Sequence, residues 1–452
     1  MSNRQITNEE IFAEIIDSIK ENDYKTAISF FLNLHPNDQV EVFDLFNFEQ
    51  KAEILKRIDI LATAQLFSLQ EDQDTLEAAE SLSIERLADI LDEMAPDEAA
   101  DLLLDLPPDQ AAEALDQMED AEEILPLLVY PDETAGGRMT TEFVSVKEDS
   151  TAGQLINQLR LLSPDHGVPY YIFVTTPDDK LVGVAGLREL IVSHPQSKIH
   201  SIMNTEVISA DAWTDQEDVA RIMTQYDLSA LPVVNKNHGL IGVITYDDIL
   251  DVIQEEATED IYRLANVIDA ELEPDSPIRE QLKGRLPWLF LNTLTALFAS
   301  WVISNFETLI AQVAVLAVFQ SVVAGQGGNA ASQSVAMFVR AIALGKVPTG
   351  KTFPLLVKQM AVGLFQGILV GLIVGVGVTI WKGNSYLGLV IGLALVGNLI
   401  LAGIVGTLAP LGLKAIGQDP AMASTVLVTA VTDSLGFFIF LTLASVFLPQ
   451  LL

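Results

Sequence analysis

The chain has 452 residues, half of them hydrophobic, and a formal net charge of −37 at pH 7. It has no cysteine and only five scattered histidines, which excludes disulfides, thiolate metal sites and cysteine catalysis, and without any catalytic motif we expect no enzymatic activity. Residues 1–283 carry 59 acids and 18 bases, a balance of −41, whereas residues 284–452 carry three acids and seven bases, a balance of +4. An acidic soluble part, which repels nucleic acid and attracts cations, therefore precedes a membrane part.

Residues 1–130 show short amphipathic patterns separated by Pro-Asp or Pro-Asn pairs. The segments APDEAADLLLDL and PPDQAAEALDQM repeat at an offset of twelve residues. Each has a proline at the predicted first helical position and acids in the first turn, where the helix dipole favours them. We predict an acidic, all-α helical superhelix, and we interpret its acids first as a solvated face.

Residues 131–248 contain a duplicated pattern of strand, turn, strand and helix. The two copies, YYIFVTTPDDKLVGVAGLREL and ALPVVNKNHGLIGVITYDDIL, lie about 60 residues apart. The unit resembles a pair of α/β cystathionine-β-synthase-type (CBS) domains, at 131–200 and 201–248. Thr245 and Asp248 match the pattern that often holds a nucleotide ribose in such domains, so the resemblance allows ATP or another adenine nucleotide as a cofactor.

An amphipathic helix is predicted over residues 249–268, within a connecting segment that runs to residue 283. Isoleucines and leucine recur on one side at helical spacing. The opposite side is acidic and carries Asp251, Glu255, Glu256, Glu259 and Asp260.

Five membrane spans are predicted within residues 284–452, which gives a five-helix α transmembrane domain. The spans are 286–306, 309–340, 354–381, 386–413 and 420–449. Most basic residues between spans lie on one side, namely Lys283, Arg285, Arg340, Lys346, Lys351, Lys358 and Lys414, with Lys382 on the other. By the positive-inside rule the N-terminus is expected in the cytoplasm and the C-terminus outside. No cleavable signal is apparent, so we expect a multi-pass protein of the inner (plasma) membrane.

The second predicted span has an unusual middle, AGQGGNAASQS. Its three glycines make a straight, lipid-facing helix unexpected. Either the segment lines a cavity, or its small residues allow close helix packing. Asn329 and Gln333 are one helical turn apart, which favours a polar lining.

Asp433 lies in the middle of the last predicted span. A carboxylate at the centre of a membrane helix costs roughly 2.5–3.5 kcal/mol on insertion scales, so it indicates a functional site. Asp419 precedes Pro420 and is predicted to cap the same helix. A continuous helix would place Asp433 about 21 Å deeper, rotated by only about 40°. Thr429 and Asn398 add polar groups to the predicted lining.

Hydroxyl, amide and carboxylate groups without thiol or imidazole suit a hard cation. Mg²⁺ gives up its waters reluctantly, so a hydrated ion held by outer-shell contacts fits a site with few protein charges. A proton relay through Asp433 fits the composition equally well.

Several segments resemble the signatures of the MgtE magnesium channels, in the order found in that family. In the membrane part these are VVAGQGGNAASQS, VRAIALGKV, LAPLGLKAIGQDPAMAS and VTAVTDSLGFFIF. In the soluble part they are EMAPDEAADLLLDLP, YPDETAGGRMT, YDLSALPVV and EEATEDIYRL. The resemblance covers essentially the whole chain.

The resemblance implies a homodimer with a pore between its two membrane domains. Asp433 would bind hydrated Mg²⁺ in the pore, Asn329 and Gln333 would line it, and Asp419 would lie near its cytoplasmic mouth. Glu259 and Asp260 match acids at the end of the family's plug helix. The resemblance also places acids near regulatory ion sites, namely Glu217, Asp227, Asp248, Asp251 and Glu256.

These observations favour a Mg²⁺-selective channel that cytosolic Mg²⁺ shuts, because bound divalent ions would relieve repulsion in the acidic soluble part. Two alternatives stay open. One is a membrane-anchored nucleotide sensor that regulates a partner protein, and the other is a proton-coupled exporter of divalent cations.

Overall fold

The structure is a computed structural model that describes residues 8–21, 23–70, 72–161, 171–268, 272, 274, 276–347, 352–422 and 425–452. His166 and Lys351 lie outside the described residues. The chain divides into two compact units, Met1–Val252 and Ile253–Leu452.

The first unit begins with a series of short helices. They are α1 (Asn8–Lys20), α2 (Tyr24–Phe31), α3 (Pro36–Asp44), α4 (Phe48–Leu55), α5 (Ile60–Phe67), α6 (Asp72–Glu80), α7 (Ile84–Leu91), α8 (Pro96–Asp105), α9 (Pro108–Gln117) and α10 (Ala121–Ile124). The helices α8 and α9 begin at the prolines of the predicted repeat. Their first-turn acids differ, because Asp109 is exposed whereas Asp97 and Glu98 are partly buried. The interpretation of the acids as a solvated face is therefore wrong for Asp97 and Glu98.

Two three-stranded sheets follow in the first unit. One contains β1 (Ser145–Lys147), β2 (Tyr171–Thr175) and β3 (Leu181–Gly186), and the other β4 (Ala210–Asp211), β5 (Ala230–Val234) and β6 (Leu240–Thr245). In each sheet the first strand pairs parallel with the second, and the second pairs antiparallel with the third. The accompanying helices are α11 (Ala152–Leu159), α12 (Leu187–Val192), α13 (Gln216–Tyr226) and α14 (Tyr246–Leu264). The predicted duplication is confirmed, although the short parallel strands β1 and β4 were not foreseen.

The turns of the two duplicated hairpins are equivalent and contact each other. Asp179 and His238 both adopt left-handed backbone conformations, with φ of 61° and 59°. The Leu181 amide donates to the His238 carbonyl at 3.0 Å, and the Leu240 amide donates to the Asp179 carbonyl at 3.1 Å. This reciprocal pairing joins the two CBS-type sheets.

The long helix α14 starts three residues before its predicted start and ends at Leu264, four residues before its predicted end. Asn266 follows in a left-handed conformation with φ of 64°, so the helix cannot continue. The Val267 amide then donates to the Tyr262 carbonyl at 2.9 Å.

The second unit is helical. Its helices are α15 (Ile278–Ser304), α16 (Glu307–Gln312), α17 (Val315–Ala343), α18 (Thr352–Lys382), α19 (Ser385–Ala415), α20 (Thr425–Val446) and α21 (Leu448–Leu451). Among the described residues, four helices are long and apolar enough to cross a membrane, namely α15, α18, α19 and the helix that ends at Val446. The more polar α17 has 29 residues, and its role as a fifth span is a proposal.

Helix α17 is continuous through its glycines, which corrects the expectation of an irregular segment there. The predicted second span instead divides before the glycines, between α16 and α17. Gly327 and Gly328 are buried, and a Cβ atom on Gly327 would lie 2.2 Å from Asn398 Nδ2 of α19. The small residues therefore serve close packing on one face of the helix, which is the alternative that the sequence left open.

Close packing also joins α18 and α19. Glycines recur every fourth residue on α18, at positions 363, 367, 371 and 375, and all four are buried. A Cβ atom on Gly371 would lie 2.6 Å from the Gly392 carbonyl oxygen. The two backbones approach so closely because these side chains are absent.

The predicted helix from Asp419 to Asp433 is also corrected. A 3-10 turn occupies Pro420–Met422, and α20 begins at Thr425. The estimated depth of 21 Å and rotation of 40° assumed one unbroken α-helix and therefore do not apply.

Candidate functional site

Asp433 lies on α20, which packs against α15, α17 and α19. Its side chain is half-buried, as is that of Thr429 one turn earlier, whereas Thr432 and Ser434 on either side of it are buried. The seven basic residues of the membrane part all precede α20 in sequence, so the last helix brings no cation of its own. The carboxylate is thus neither fully exposed nor enclosed in dry helix packing.

Asn329 and Gln333 lie on the exposed face of α17. They are four residues apart and so occupy adjacent turns of one face. The opposite face carries buried residues such as Val335 and Val339. Polar amides on the outer face of a membrane helix require protein or water against them, because hydrocarbon offers no hydrogen-bond partners.

Asn398 differs from these two residues because it is fully buried within the chain. Its Nδ2 donates to the Val323 carbonyl at 2.8 Å. Cβ atoms on Gly327 or Gly436 would lie 2.2 and 2.7 Å from the same nitrogen. Asn398 therefore holds α17, α19 and α20 together, and its role in lining a pore stays a prediction.

The end of α14 and the segment before α20 meet at a cluster of charges. Arg263 forms ion pairs with Glu259, one turn earlier on α14, and with Asp419. All three side chains are partly buried, with 31%, 23% and 28% of their surfaces exposed. An arginine that we did not single out thus brings Glu259 and Asp419 together, a pairing that the sequence analysis did not predict.

Asp419 uses both of its carboxylate oxygens. Its Oδ1 accepts a hydrogen bond from the Ala421 amide at 2.8 Å, and its Oδ2 accepts from Arg263. The predicted capping role is therefore correct in kind, but Asp419 caps the short 3-10 turn and not α20 itself.

Asp260 joins the same cluster. Burial first, and then the neighbouring carboxylates of Asp419 and Glu256, raise the pKa of Asp260 to about 6, against the opposing effect of the Arg340 guanidinium. A group that titrates near neutrality beside other acids indicates a place where an added cation would be favourable.

A second acidic cluster lies in the first unit. It contains Asp97 and Glu98 at the start of α8 and Asp248 in the first turn of α14. Burial first, and then the neighbouring Asp248 carboxylate, together raise the pKa of Asp97 to about 7. Burial likewise raises the pKa values of Glu98 and Asp248 above their usual ranges.

Partners within the first unit hold this cluster in place. Thr245 donates to Asp248 Oδ2 from its hydroxyl at 2.5 Å and from its amide at 3.2 Å. Ser68 donates to Glu98, while Oδ1 of Asp97 is buried without a hydrogen-bond partner. The two residues predicted to hold a ribose, Thr245 and Asp248, are therefore bonded to each other. The Asp248 carboxylate also contributes to the raised pKa of Asp97, after burial.

The remaining predicted acids lie on exposed surfaces. Glu217 is in the first turn of α13, Asp227 ends that helix in a left-handed conformation, and Asp251 lies on α14. Among the described residues, no group of three or more His, Asp or Glu side chains has the spacing to hold a metal ion. Within the described part of one chain, the predicted regulatory acids therefore do not form a complete metal site.

Arg263, Asp97 and Glu98 belong to these clusters but were not singled out by the sequence analysis. Arg263 carried one signal, because a glutamate four residues before an arginine on a helix predicts an ion pair. Asp97 carried none that distinguishes it from Asp109, its exposed equivalent in the repeat.

Three family models match the chain. The model of the MgtE divalent cation transporter matches residues 320–443, that of the MgtE intracellular N domain matches 34–133, and that of the CBS domain matches 135–193 and 199–255. Along the chain the matches follow in the order N domain, CBS domains and transporter domain.

Similar proteins extend over the full length. The magnesium transporter MgtE of Enterococcus faecalis is 35% identical, with 97% of this chain and 98% of that protein aligned. The magnesium transporter MgtE of Thermus thermophilus is 33% identical, with 97% of this chain and 99% of that protein aligned. The magnesium transporter MgtE of Bacillus subtilis is 31% identical, with 99% of this chain and 100% of that protein aligned.

Two solved structures match the soluble part. The soluble part of a magnesium transporter shares 35% identity at a TM-score of 0.51, over 56% of this chain and 100% of that one. The cytosolic domain of the Mg²⁺ channel MgtE in complex with ATP shares 32% identity at a TM-score of 0.51, over 53% and 99%. From its acidic N-terminal helices to its last apolar helix, the chain belongs to the MgtE family of magnesium transporters.

Proposed function

We propose that the protein is a Mg²⁺-selective channel in which Asp433 binds the permeating ion. The observation that carries this proposal is the half-buried carboxylate of Asp433 in a helix otherwise apolar enough to cross a membrane. Family membership supports Mg²⁺ as the transported ion. One carboxylate with threonine hydroxyls nearby suits a hydrated divalent ion, because Mg²⁺ retains its waters and needs few direct protein ligands.

The conduction path is proposed to lie between two copies of the chain. Asn329 and Gln333 support this arrangement, because they are exposed on α17 and lipid cannot satisfy their amides. A second copy placed against this face would cover them and enclose a water-filled path. Helix α17 then serves as the fifth span, with the N-terminus in the cytoplasm and the C-terminus outside.

Gating is proposed to depend on Mg²⁺ in the cytosol. The acids of the soluble part repel one another, and Asp97 and Asp260 mark two places where partly buried carboxyl groups lie near other acids, because burial first and the neighbouring carboxylates second raise their pKa values. Divalent ions that bind the closed form better would shift the population towards it. The acids proposed to take part besides these two are Glu217, Asp227, Asp248, Asp251, Glu256 and Glu259.

A nucleotide is proposed to bind the CBS pair near Thr245 and Asp248. The support is the similar cytosolic domain solved with ATP. Because Asp248 also faces Asp97 and Glu98, ribose binding at Asp248 and cation binding at the acidic cluster would affect each other.

The test replaces Asp433 by alanine and measures Mg²⁺-dependent growth and Mg²⁺ uptake in a strain without its own uptake systems. We expect uptake to fall to background at equal membrane abundance. Glu307→Gln is the matched control, because Glu307 is an acid of the second unit that is exposed at the start of α16. Undiminished uptake by Asp433→Ala would refute the pore assignment.

The two alternatives give different results in the same system. A proton-coupled exporter would lower cellular Mg²⁺, and an imposed pH gradient would drive its transport. A membrane-anchored nucleotide sensor would give no ion flux from the purified protein in liposomes.

A further inference from the structure

Arg263 is the residue through which the end of α14 contacts the segment before α20. It pairs with Glu259 on its own helix and with Asp419. The same turn of α14 is fixed by apolar packing, because Leu264 contacts the buried cluster formed by Ala331, Val335, Val339, Ala402, Ala421 and Val428. The arginine thus lies at a docked end of the helix and not on a free surface.

The chain beyond α14 is tied down as well. The Ile268 amide donates to the Gly284 carbonyl of α15 at 3.1 Å, and the Tyr262 hydroxyl donates to the Leu272 carbonyl at 2.7 Å. The backbone near Arg263 is therefore held by these bonds, which keep the guanidinium within reach of Asp419 while the end of α14 stays in place.

The local charge explains why a cation is needed here. Four acids lie around the contact, namely Glu256, Glu259, Asp260 and Asp419. Arg263 pairs with Glu259 and Asp419, and Arg340 lies near Asp260. Removing Arg263 would leave Glu259 and Asp419 facing each other without the charge between them. Two neighbouring carboxylates repel each other, and the repulsion is stronger where they are partly buried than in open water.

The guanidinium also determines what Asp419 can bind. Oδ1 accepts from the Ala421 amide and Oδ2 pairs with Arg263, so the guanidinium already balances the negative charge of the carboxylate in this state. A divalent ion that used Asp419 would have to compete with the arginine for that charge.

We propose that Arg263 is a resident cation that neutralises Asp419 whenever the end of α14 is docked. Docking removes the Asp419 carboxylate from the ion path, and release of the helix end returns it. Arg263 is thus a positioning residue for the shut state, and it makes part of the closure independent of bound Mg²⁺. This inference rests on the proposed channel function.

The test measures Mg²⁺ flux from liposomes that contain the full-length protein, over a series of Mg²⁺ concentrations on the cytoplasmic side. We expect Arg263→Gln to raise the half-inhibiting concentration about fivefold, the effect of losing a partly buried, charge-assisted pair. Arg263→Lys should recover part of the shift, because an ammonium keeps the charge but loses the fork geometry. Arg57→Gln is the matched control, since Arg57 pairs with Glu53 one turn earlier on a helix, as Arg263 does with Glu259.

A second measurement does not depend on flux. Hydrogen exchange of the amides in residues 256–264, with chelator present, should be about tenfold faster in Arg263→Gln than in the unmodified protein. One outcome is that the unmodified protein conducts no Mg²⁺ while exchange is still faster in Arg263→Gln than in the unmodified protein. In that case the channel function fails and the docking role of Arg263 stands. Normal flux with unchanged gating and unchanged exchange in Arg263→Gln would overturn the inference.

Discussion

The guanidinium of Arg263 is ion-paired with the carboxylate of Asp419, although the two residues are 156 positions apart in the chain. The pair joins the last turn of α14 to the 3-10 turn before α20. An acid that the family resemblance places at the cytoplasmic mouth of a pore is therefore already neutralised by a residue of the helix proposed to close that pore. This relationship makes the coupling between the two positions measurable.

A double-mutant cycle on this pair should be strongly non-additive. Asp419→Asn keeps an oxygen to accept from the Ala421 amide but removes the charge that Arg263 neutralises. If Arg263 acts through Asp419, Arg263→Gln should have little further effect on the half-inhibiting Mg²⁺ concentration in the Asp419→Asn background. Two independent shifts that multiply would show that the residues act separately.

The stability of the first unit should depend on the ionisation of Asp97. The folded-state pKa is about 7 and the ordinary value 3.8, so the folded chain keeps a proton that the unfolded chain releases between these values. Stability should therefore fall as pH rises through this window, with the full loss above about pH 7. Asp97→Asn should remove that loss, because the amide is neutral at every pH.

Thermal unfolding of the full-length protein without Mg²⁺ checks this prediction. We expect Asp97→Asn to raise the Tm by about 4 °C at pH 8, with the difference narrowing as the pH is lowered towards 4. Asp109→Asn, at the equivalent exposed position of the repeat, should give no increase, because it removes only a favourable interaction with the helix dipole. Equal Tm values for Asp97→Asn and the unmodified chain at pH 8 would contradict the burial of this carboxyl group.

The close contact of α18 and α19 should be sensitive to one methyl group. Gly371→Ala places a Cβ atom 2.6 Å from the Gly392 carbonyl oxygen, so the helices must separate. We expect a loss of about 1–3 kcal/mol in the free energy of unfolding. Gly377→Ala on the same helix has no atom within 4 Å of the new methyl group, and its stability should be unchanged.

Two asparagines of the membrane part should behave differently. Asn398→Leu removes the hydrogen bond to the Val323 carbonyl and adds a branched side chain against Gly327 and Gly436. We expect it to destabilise the protein by about 1–3 kcal/mol, the cost of a lost buried partner. Asn329→Leu, on the exposed face of α17, should leave the Tm unchanged and reduce Mg²⁺ flux. A reversed pattern, with Asn329 governing stability and Asn398 only flux, would be incompatible with the observed burial.

Local signals in the sequence predicted most of the local structure. Proline followed by acids marked the starts of α8 and α9, and paired apolar runs around a polar turn marked the hairpins β2–β3 and β5–β6. The prediction of an irregular segment at the glycines of α17 was wrong. A glycine in a sequence can indicate either a flexible backbone or the need for a small residue in close packing, and the sequence does not distinguish the two. Only the contact with Asn398 reveals that small size is what matters at Gly327.

Contacts between segments far apart in the chain could not be predicted from the sequence. Asp97 and Asp109 occupy equivalent positions in the repeat, yet only Asp97 lies beside Asp248. Asp419 was predicted to cap a helix that begins five residues later than expected, because nothing in the local pattern indicates where the 3-10 turn ends. Residue spacing alone also cannot pair Arg263 with a carboxylate so far along the chain.

The most direct test of the account compares Mg²⁺ influx into liposomes containing the purified full-length protein with influx for Asp433→Asn, which keeps the size of the side chain and removes its charge. The account predicts Mg²⁺ influx by the unmodified protein, inhibition by Mg²⁺ on the cytoplasmic side, and at least a tenfold lower influx through Asp433→Asn at equal protein content. Equal influx through both proteins would show that the carboxylate does not bind the permeating ion.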